Sequence, residues 1–411
     1  MRNISPTHVK APKPKLYQVC RQIPKLRELR RQALLEGQTV GFVPTMGALH
    51  EGHLALVRQA ARENYRVYVS IYVNPTQFGV NEDLASYPRP WGKDLDKLSA
   101  LCEEFNQDER MGQITTIFAP KTRDMYPNLP PTSEIDGKGS FVTITPLSSI
   151  LEGASRPVFF RGVATVVMKL LNIVQPEKVY FGQKDVQQTY VVRRMIEDFH
   201  LDTQIRVGPT VRESDGLALS SRNVYLGARR RAVATVLLKA LVNVQYAFEH
   251  DKRRREDLLV AAYQVAANVQ DRERNLLPAE RARFDVDYFS LADPKTMEEL
   301  EVVNPAEGAI LSGAIKMLPI EDPQEGEDTG LGGGITAVRL IDNIKLDLLS
   351  SRHHLIPELD GSWSGLRPQA GPGRIRKIGN SKDLDRNARK RTDLAQRAAD
   401  LDRGEAGFAG E

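Results

Sequence analysis

Apolar runs alternate with amphipathic stretches of helical period over the first half of the chain. The apolar runs are typical of buried strands, and the stretches between them repeat apolar residues at the spacing of one helix face. Strands are predicted at 40–43, 67–73, 114–118, 178–181 and 203–207, and helices from about residue 52, after Pro90, over 163–174 and over 186–200. This alternation predicts an α/β fold in which helices cover both faces of a mainly parallel sheet. Ligands of such sheets bind beyond the carboxyl ends of the strands.

The pattern changes near residue 211. Two long helical stretches, 229–249 and 254–270, precede strand-like runs at 284–291, 309–317 and 336–341, and 325–334 is a predicted flexible loop. Helices followed by consecutive strands indicate a smaller α+β domain. After about residue 349 the periodicity fades in sequence rich in Gly, Pro, Arg and Asp, which predicts a mobile tail. The predicted parts are therefore 15–210, 211–346 and a basic tail at 347–411.

Composition narrows the class of protein. A chain of 411 residues usually needs more than one hydrophobic core, and 41% hydrophobic with 27% charged residues is ordinary for a globular protein. We expect no apolar run of membrane-spanning length and therefore no membrane contact. Cys20 and Cys102 have neither the number nor the spacing of a disulfide framework or a metal knuckle, which favours a reducing compartment, the cytoplasm.

The start of the chain carries an excess of positive charge. Residues 1–31 hold nine Lys or Arg against one acid, Glu28, within a net charge of +4. Transit peptides have this character, so a mitochondrial location is the alternative. The few serines and the prolines at 6, 12, 14 and 24 argue against import, because proline breaks an amphipathic helix.

The first chemical motif, Pro-Thr-Met-Gly-Ala-Leu-His-Glu-Gly-His over 44–53, lies where a predicted strand ends and a helix begins. His50 and His53 share one face of the helix start, next to backbone N–H groups that suit a triphosphate. Gly47 and Gly52 allow close backbone approach, and either imidazole can donate to phosphate oxygens as charge builds in a transition state. A pair of satisfied histidines and half of a zinc site are the alternatives, and the strand-to-helix position favours phosphate.

The two-histidine string resembles the signature of nucleotidylyl-transferring enzymes, and the fuller ten-residue string is similar to that of the pantothenate synthetase (pantoate–beta-alanine ligase) family. The resemblance covers roughly 17–346. It implies a Rossmann-like nucleotide- and pantoate-binding domain at 15–210 and a lid domain at 211–346. It also implies catalytic roles for His53 and His50 and ATP contacts by Met46, Gly47 and both histidines.

Two further segments match this family in the same order. In 74–78, Gln77 stands where the second strand opens into the crevice; a loop glutamine is usually solvated, and the resemblance is what makes it a contact for pantoate and beta-alanine. In 181–188, Lys184 is free to reach phosphate and Asp185 is placed to cap a helix, although a lysine considered alone is usually solvated. By resemblance the ATP contacts here are Gly182, Gln183, Lys184 and Asp185, with Lys184 catalytic and Gln188 bound to pantoate.

Segment 211–223 is rich in hydroxyl and cationic donors and has no long apolar run, so it also fits an ordinary polar hinge. The resemblance makes Leu219, Ser220, Ser221 and Arg222 a mobile loop that grips phosphate. Arg222 would be catalytic through planar, multi-donor contact with the pyrophosphate. Val211 would line the adenine pocket through its backbone.

Two segments match less closely. In 152–163, bacterial members have Gly-His where this chain has Val158-Phe159, so the role of that histidine is not carried over; the phenylalanine version is similar to the fungal branch. Arg156 matches and is expected to meet substrate charge. Asp94 follows a Tyr-Pro-Arg string at 87–89 and resembles an acid that helps to hold magnesium, although a single helical aspartate is usually surface charge.

The resemblance implies ATP-dependent condensation of pantoate with beta-alanine through a pantoyl-adenylate, with Mg²⁺, in a homodimer. A nucleotidyltransferase that makes a nucleotide conjugate is one alternative, and the contexts of Gln77 and Gln188 argue against it. A nucleic-acid-binding module is the other, suggested by eight basic residues against two acids at 374–391. The chain has no RNA-binding signature with interleaved aromatics and its overall charge is nearly balanced, so no nucleic-acid partner is expected.

Overall fold

The structure is a computed structural model of the chain and describes residues 16–79, 82–128 and 138–347. The chain divides into two compact units, and all of these residues belong to the first, Met1–Pro357. The domain boundary predicted near residue 210 lies inside this unit and stays a prediction. The predicted tail lies, beyond residue 347, outside the described residues.

Six strands form one parallel sheet. They are β1 (Gln18–Cys20), β2 (Val40–Thr45), β3 (Arg66–Ile71), β4 (Gln113–Phe118), β5 (Lys178–Gly182) and β6 (Gln204–Gly208). Their order is β1-β4-β3-β2-β5-β6, and each pairing is parallel. The predicted mainly parallel sheet is confirmed, and β1 is an edge strand that the sequence pattern did not indicate.

Helices cover both faces of this sheet. They are α1 (Ile23–Leu35), α2 (Glu51–Glu63), α3 (Trp91–Phe105), α4 (Thr122–Met125), α5 (Glu152–Ser155), α6 (Phe159–Val174) and α7 (Val186–Asp198). Successive strand residues point to opposite faces, so Phe42 of β2 packs with α1, α6 and α7, while Val43 packs with α2 and α3. Burial on both faces explains why the inner strands β2, β3 and β5 read as continuous apolar runs. The prediction that helices cover both faces of the sheet is confirmed.

Helix α1 corrects one expectation. Pro24 is expected to break a helix, but it lies in the first turn of α1. Proline is tolerated there because the N–H that it lacks has no partner within a first turn. Leu26, Leu29 and Ala33 follow on one face and are buried in the core. Pro24 therefore does not break a helix, contrary to the prediction; prolines 6, 12 and 14 lie outside the described residues.

The second part of the chain is a smaller α+β assembly, as predicted. Its elements are α8 (Gly227–Val233), α9 (Val236–Glu249), α10 (Arg255–Arg274), β7 (Phe284–Ala292), β8 (Ala309–Met317) and β9 (Val338–Leu346). The strands form an antiparallel sheet in the order β7-β8-β9, and α9 and α10 pack on it through a shared core. Strand β9 extends beyond the predicted end at 341, a difference that matters for the site.

One helical stretch in this part is longer and more apolar than the sequence analysis predicts. Gly227–Glu249, α8 and α9 together, is long and apolar enough to cross a membrane, whereas no run of that length was expected. More than half of the most apolar part of this stretch is buried within the fold. Leu237, Leu241 and Val244 belong to the core beneath the antiparallel sheet, which is the environment of a core helix.

Arg230 on α8 is a buried arginine that hydrogen-bonds to two other segments of this assembly. It is 1% exposed, and burial lowers the pKa of its guanidinium. Its Nε donates to the carbonyl of Leu226 at 2.9 Å and its Nη1 to that of Thr336 at 2.7 Å. A buried charge is tolerated only when its donors are satisfied, and these carbonyl contacts also join α8 to the segment before β9.

We predict that Arg230→Met lowers the free energy of unfolding by at least about 2 kcal/mol, because it leaves buried carbonyl oxygens without donors. Urea unfolding followed by circular dichroism measures the change. Arg254→Met, at a side chain that is 67% exposed, is the control and should change stability by no more than about 0.5 kcal/mol. Equal effects of the two substitutions would contradict the structural role of Arg230.

Candidate active site

A cavity of about 1050 Å³ opens at the carboxyl ends of β2 and β5. This volume lies at the upper end of the range for small-molecule sites. The predicted site residues that line it are Met46, His50, His53, Gln77, Arg156, Gly182, Lys184, Asp185, Gln188, Val211, Leu219, Ser220, Ser221 and Arg222. Three predicted residues, Gly47, Gln183 and Asp94, lie beside the cavity lining rather than in it. The fold thus brings together segments that are far apart in the chain.

The turn between β2 and α2 carries the first motif. Thr45 ends β2, and its hydroxyl oxygen accepts the N–H of Gly47 at 3.2 Å. Gly47 and Ala48 then have φ angles of +83° and +49°, in the left-handed region. A Cβ on Gly47 would lie 3.0 Å from a carboxylate oxygen of Asp94, so both the turn and the close approach require glycine. His50 follows as the N-cap of α2.

His50 and His53 face each other with ring centroids 4.1 Å apart. The backbone N–H of His50 donates to Nδ1 of His53 at 3.3 Å, which leaves the ring proton of neutral His53 on Nε2. Burial, with Lys184 nearby, lowers the pKa of His50 to about 4, and burial together with His50 lowers the pKa of His53 well below its usual value. Both rings are therefore neutral hydrogen-bond donors near pH 7.

Lys184 lies in a 3₁₀ turn, Gln183–Asp185, that joins β5 to α7. Asp185 occupies the N-cap position of α7, as predicted, but its side chain makes no capping hydrogen bond to the helix. The side-chain amide of Asn343 in β9 donates to the carbonyls of Gln183 and Lys184, at 2.9 Å each. Asn343 was missed because the strand predicted at 336–341 ends before it, and an asparagine in a strand has no chemical signature of its own.

The segment from Ser220 to Arg222 contacts the turn that joins β2 to α2 and carries His50, residues 46–50, which we call the histidine turn. The Ser220 hydroxyl oxygen accepts the N–H of Arg222 at 3.2 Å, and the Ser221 hydroxyl donates to the carbonyl of Ala48 at 3.1 Å. Arg222 makes a two-point ion pair with Asp83, with distances of 2.9 and 2.7 Å. Burial raises the pKa of Asp83, but the pair with Arg222 outweighs it and lowers the pKa overall.

Arg156 has an equivalent partner, since its Nε donates to Glu82 at 2.7 Å. The ring of Phe159 lies 3.8 Å from the guanidinium carbon of Arg156, which gives this departure from the bacterial Gly-His pattern a packing role. Glu82 and Asp83 are consecutive and each holds one of the two predicted arginines. Sequence reasoning missed this acidic pair, although its position after the Gln77 segment was visible.

Gln77 is 8% exposed, and its Oε1 accepts the amide of Asn74 at 3.0 Å. Asn74 also donates to the carbonyl of Gly162 at 3.2 Å. A Cβ on Gly162 would lie 2.2 Å from the carbonyl oxygen of Thr76, so glycine permits α6 to pack directly on the Gln77 segment. Gln188 lines the same cavity from α7. The two glutamines therefore line the same cavity.

Asp94 is 1% exposed in the first turn of α3. Its two carboxylate oxygens accept the backbone N–H groups of Ala48 at 2.9 Å and Leu49 at 2.8 Å. Among the described residues no group of three or more His, Cys, Asp or Glu could hold a metal ion. The assignment of Asp94 to magnesium stays a prediction. In this structure its carboxylate oxygens are hydrogen-bonded to the backbone of the histidine turn.

Known proteins resemble this chain over most of its length. The profile of the family described as Pantoate-beta-alanine ligase matches residues 18–345. A pantothenate synthetase of Chloroflexus aurantiacus is 48% identical over 286 residues, which are 70% of this chain and 90% of that protein. One from Roseiflexus sp. is 47% identical over 69% of this chain and 91% of that protein. These relatives are bacterial, and the likeness to the fungal branch stays a prediction.

Solved structures agree. A pantothenate synthetase of Thermus thermophilus has a TM-score of 0.61 at 36% identity, covering 80% of this chain and 99% of that one. The pantoate-beta-alanine ligase of Francisella tularensis, solved with beta-gamma ATP and beta-alanine, has a TM-score of 0.51 at 29% identity, covering 80% and 97%. With the profile match and the sequence identities, these likenesses show that the chain belongs to the pantoate-beta-alanine ligase family.

Proposed function

We propose that the cavity carries out the ATP-dependent condensation of pantoate with beta-alanine. The pantoate carboxylate attacks the α-phosphorus of ATP and pyrophosphate leaves with the bridging oxygen. The amine of beta-alanine then attacks the carbonyl carbon of the pantoyl-adenylate, a C–N bond forms, AMP leaves and the amine loses a proton. The observation that carries the proposal is the meeting of His50, His53, Lys184 and Arg222 at one cavity beyond the parallel strands.

The chemical need for ATP follows from charge. A carboxylate repels an incoming nucleophile and oxide is a poor leaving group, so the oxygen has to leave as AMP. As the α-phosphorus is attacked, negative charge spreads over the phosphate oxygens and is stabilised by preorganised donors. Neutral His50 and His53 supply N–H groups, and Lys184 supplies a fixed positive charge. Ser220, Ser221 and Arg222 are proposed to hold the pyrophosphate end.

Selection of the acid is assigned to Gln77 and Gln188. An amide both donates and accepts, so it can pair with a hydroxyl and a carboxylate of pantoate at once. Because Oε1 of Gln77 already accepts from Asn74, its N–H₂ group is the part proposed to meet substrate. Arg156 is proposed to meet substrate charge, in exchange with its partner Glu82.

Mg²⁺ is proposed to arrive with ATP as the MgATP substrate. Magnesium in ATP sites is held by substrate phosphates with one or two carboxylates rather than by a cage of protein ligands. Asp94 is not proposed as such a carboxylate, because it does not line the cavity and each of its oxygens already accepts a backbone N–H group. A homodimer is proposed from the family resemblance. A cytoplasmic location, with a mitochondrial one as the alternative, is proposed from the cysteine content and the charge of the chain.

The function is tested by incubating the full chain with MgATP, pantoate and beta-alanine and by omitting each in turn. We expect AMP and pantothenate only when all three are present. A nucleotidyltransferase would instead leave a stable nucleotide conjugate, and either that product or ATP use that ignores pantoate would overturn the proposal.

His53→Ala is expected to keep the fold and to lower turnover about a hundredfold, the usual loss for one transition-state donor. His53→Gln, which retains a neutral N–H donor, should recover part of that activity. His250→Ala, at an exposed histidine at the end of α9, is the control. Steady-state kinetics provide the measurement, and near-normal turnover in a folded His53→Ala protein contradicts the assignment.

Gln188→Ala should raise the KM for pantoate roughly tenfold while leaving the KM for ATP nearly unchanged, since one lost hydrogen bond to a charged ligand is worth about 1.5 kcal/mol. Initial rates at varied pantoate and varied ATP separate the two constants. Parallel increases in both would show that Gln188 supports the cavity as a whole.

The histidine pair also predicts a pH response. Because the pKa of His50 is lowered to about 4, its ring should stay neutral in the folded chain while an unfolded histidine protonates near its ordinary value of about 6.5. The unfolded state then binds more protons, so stability should fall as pH drops from about 6.5 toward 4. An NMR titration of the His50 ring measures the midpoint, and a value near 6.5 would refute the neutral-donor assignment.

A further inference from the structure

Helix α3 touches the backbone of the histidine turn with two side chains one turn apart. Asp94 accepts the N–H groups of Ala48 and Leu49, as described above. Lys97 donates to the carbonyl of Leu49. Positions three apart lie on one face of a helix, so a single face of α3 meets both polar groups of Leu49.

The polar backbone groups of Ala48 and Leu49 are thus all held by side chains. Besides the three contacts from α3, the carbonyl of Ala48 accepts the Ser221 hydroxyl at 3.1 Å. Ala48 has a φ of +49°, which is unfavourable for a residue with a Cβ and persists only where its surroundings hold it. The contacts from α3 and Ser221 supply that restraint.

This arrangement corrects one part of the reasoning from sequence. The backbone N–H groups near the histidines were expected to suit a triphosphate, but those of Ala48 and Leu49 point to the Asp94 carboxylate, while those of Gly47 and His50 point to Thr45 and His53. The phosphate-binding capacity of the turn therefore rests on the imidazole rings and on the first residues of α2. The orientation of the rings depends on the turn that carries them.

We propose that Asp94 is a positioning residue that fixes the backbone of Ala48 and Leu49, and through it the His50–His53 pair, and that it does not contact magnesium. The catalytic part of this inference rests on the proposed function of the two histidines. Asp94 does not line the cavity, and both of its oxygens are occupied by N–H donors. A metal ion bound to this carboxylate would have to share it with the two N–H donors that hold the turn.

The decisive variant is Asp94→Asn. Asparagine has the same shape, but it can accept only one of the two N–H groups and turns its own N–H₂ toward the other. Asp96→Asn is the matched control, because it makes the same change of charge at an exposed position of the same helix.

The first measurement uses the full chain without substrates. The chain contains seven histidines, so ¹⁵N-labelled histidine gives a tractable NMR spectrum of ring tautomers. In the parent chain and in Asp96→Asn, His53 should be the Nε2–H tautomer, because its Nδ1 accepts the His50 N–H. In Asp94→Asn the turn relaxes and a mixture of tautomers is expected. An unchanged single tautomer in a folded Asp94→Asn protein overturns the proposal.

The second measurement is turnover at varied Mg²⁺ and saturating substrates. Asp94→Asn should lower kcat at least tenfold, leave the Mg²⁺ concentration for half-maximal rate unchanged and stay impaired at high Mg²⁺. A raised Mg²⁺ requirement with full recovery at high Mg²⁺ would instead make Asp94 a metal contact. If the parent chain made no pantothenate, the proposed function would fail while the tautomer measurement still judged the positioning role.

Lys97→Met provides the test if Asp94→Asn does not fold. It removes the donor to the Leu49 carbonyl, together with a positive charge near both histidines, and leaves both Asp94 contacts in place. We expect a smaller change of the same kind, with partial tautomer mixing and a kcat lowered a few-fold. A Lys97→Met protein with the tautomer and kcat of the parent chain would contradict control of the turn by α3.

Discussion

Strand β2 lies between β3 and β5, and the chain leaves the carboxyl ends of β2 and β5 toward opposite faces of the sheet. After β2 it enters α2, which packs with α3, and after β5 it enters α7, which packs with α1 and α6. Two neighbouring connections that part in this way leave a crevice at the strand ends. The histidine turn after β2 and the Lys184 turn, Gln183–Asp185, after β5 form the two walls of that crevice. The other site segments line the cavity that opens between these walls.

Charge in this crevice is largely balanced before any ligand arrives. Arg156 and Arg222 are paired with Glu82 and Asp83, while both histidines are neutral because burial and nearby Lys184 disfavour their protonation. Lys184 lies 3.6 Å from Asp185. The ion pair with Asp83 holds the Arg222 guanidinium in place, and any phosphate that approached it would have to compete with that carboxylate.

The antiparallel sheet takes part in the site through β9. Asn343 binds the carbonyls of the Lys184 turn, the neighbouring Asp342 pairs with Arg212, and Arg339 pairs with Glu152 of α5. Asp342 and Asn343 are almost fully buried. Removing one partner of a buried pair is costly, so these contacts fix the second part of the chain against the Rossmann-like sheet. No sequence motif marks these residues as functional. Asn343 nevertheless helps to fix the position of Lys184, because it binds the backbone of the Lys184 turn.

The sequence by itself determined the alternation of strands and helices, the change to an α+β pattern near residue 211, and the motif residues that gather at the cavity. Those features are local or periodic, and the spacing of apolar positions records them directly. The sequence did not indicate β1, whose three residues are too short to show a period, nor the partners of the motif residues. Asp94 with Ala48, Arg222 with Asp83, and Asn343 with the Lys184 turn are each separated by 46 or more residues. Only the tertiary structure decided these pairs, because a hydrogen bond depends on distance and direction between atoms, and the linear order of residues specifies neither until the chain is folded.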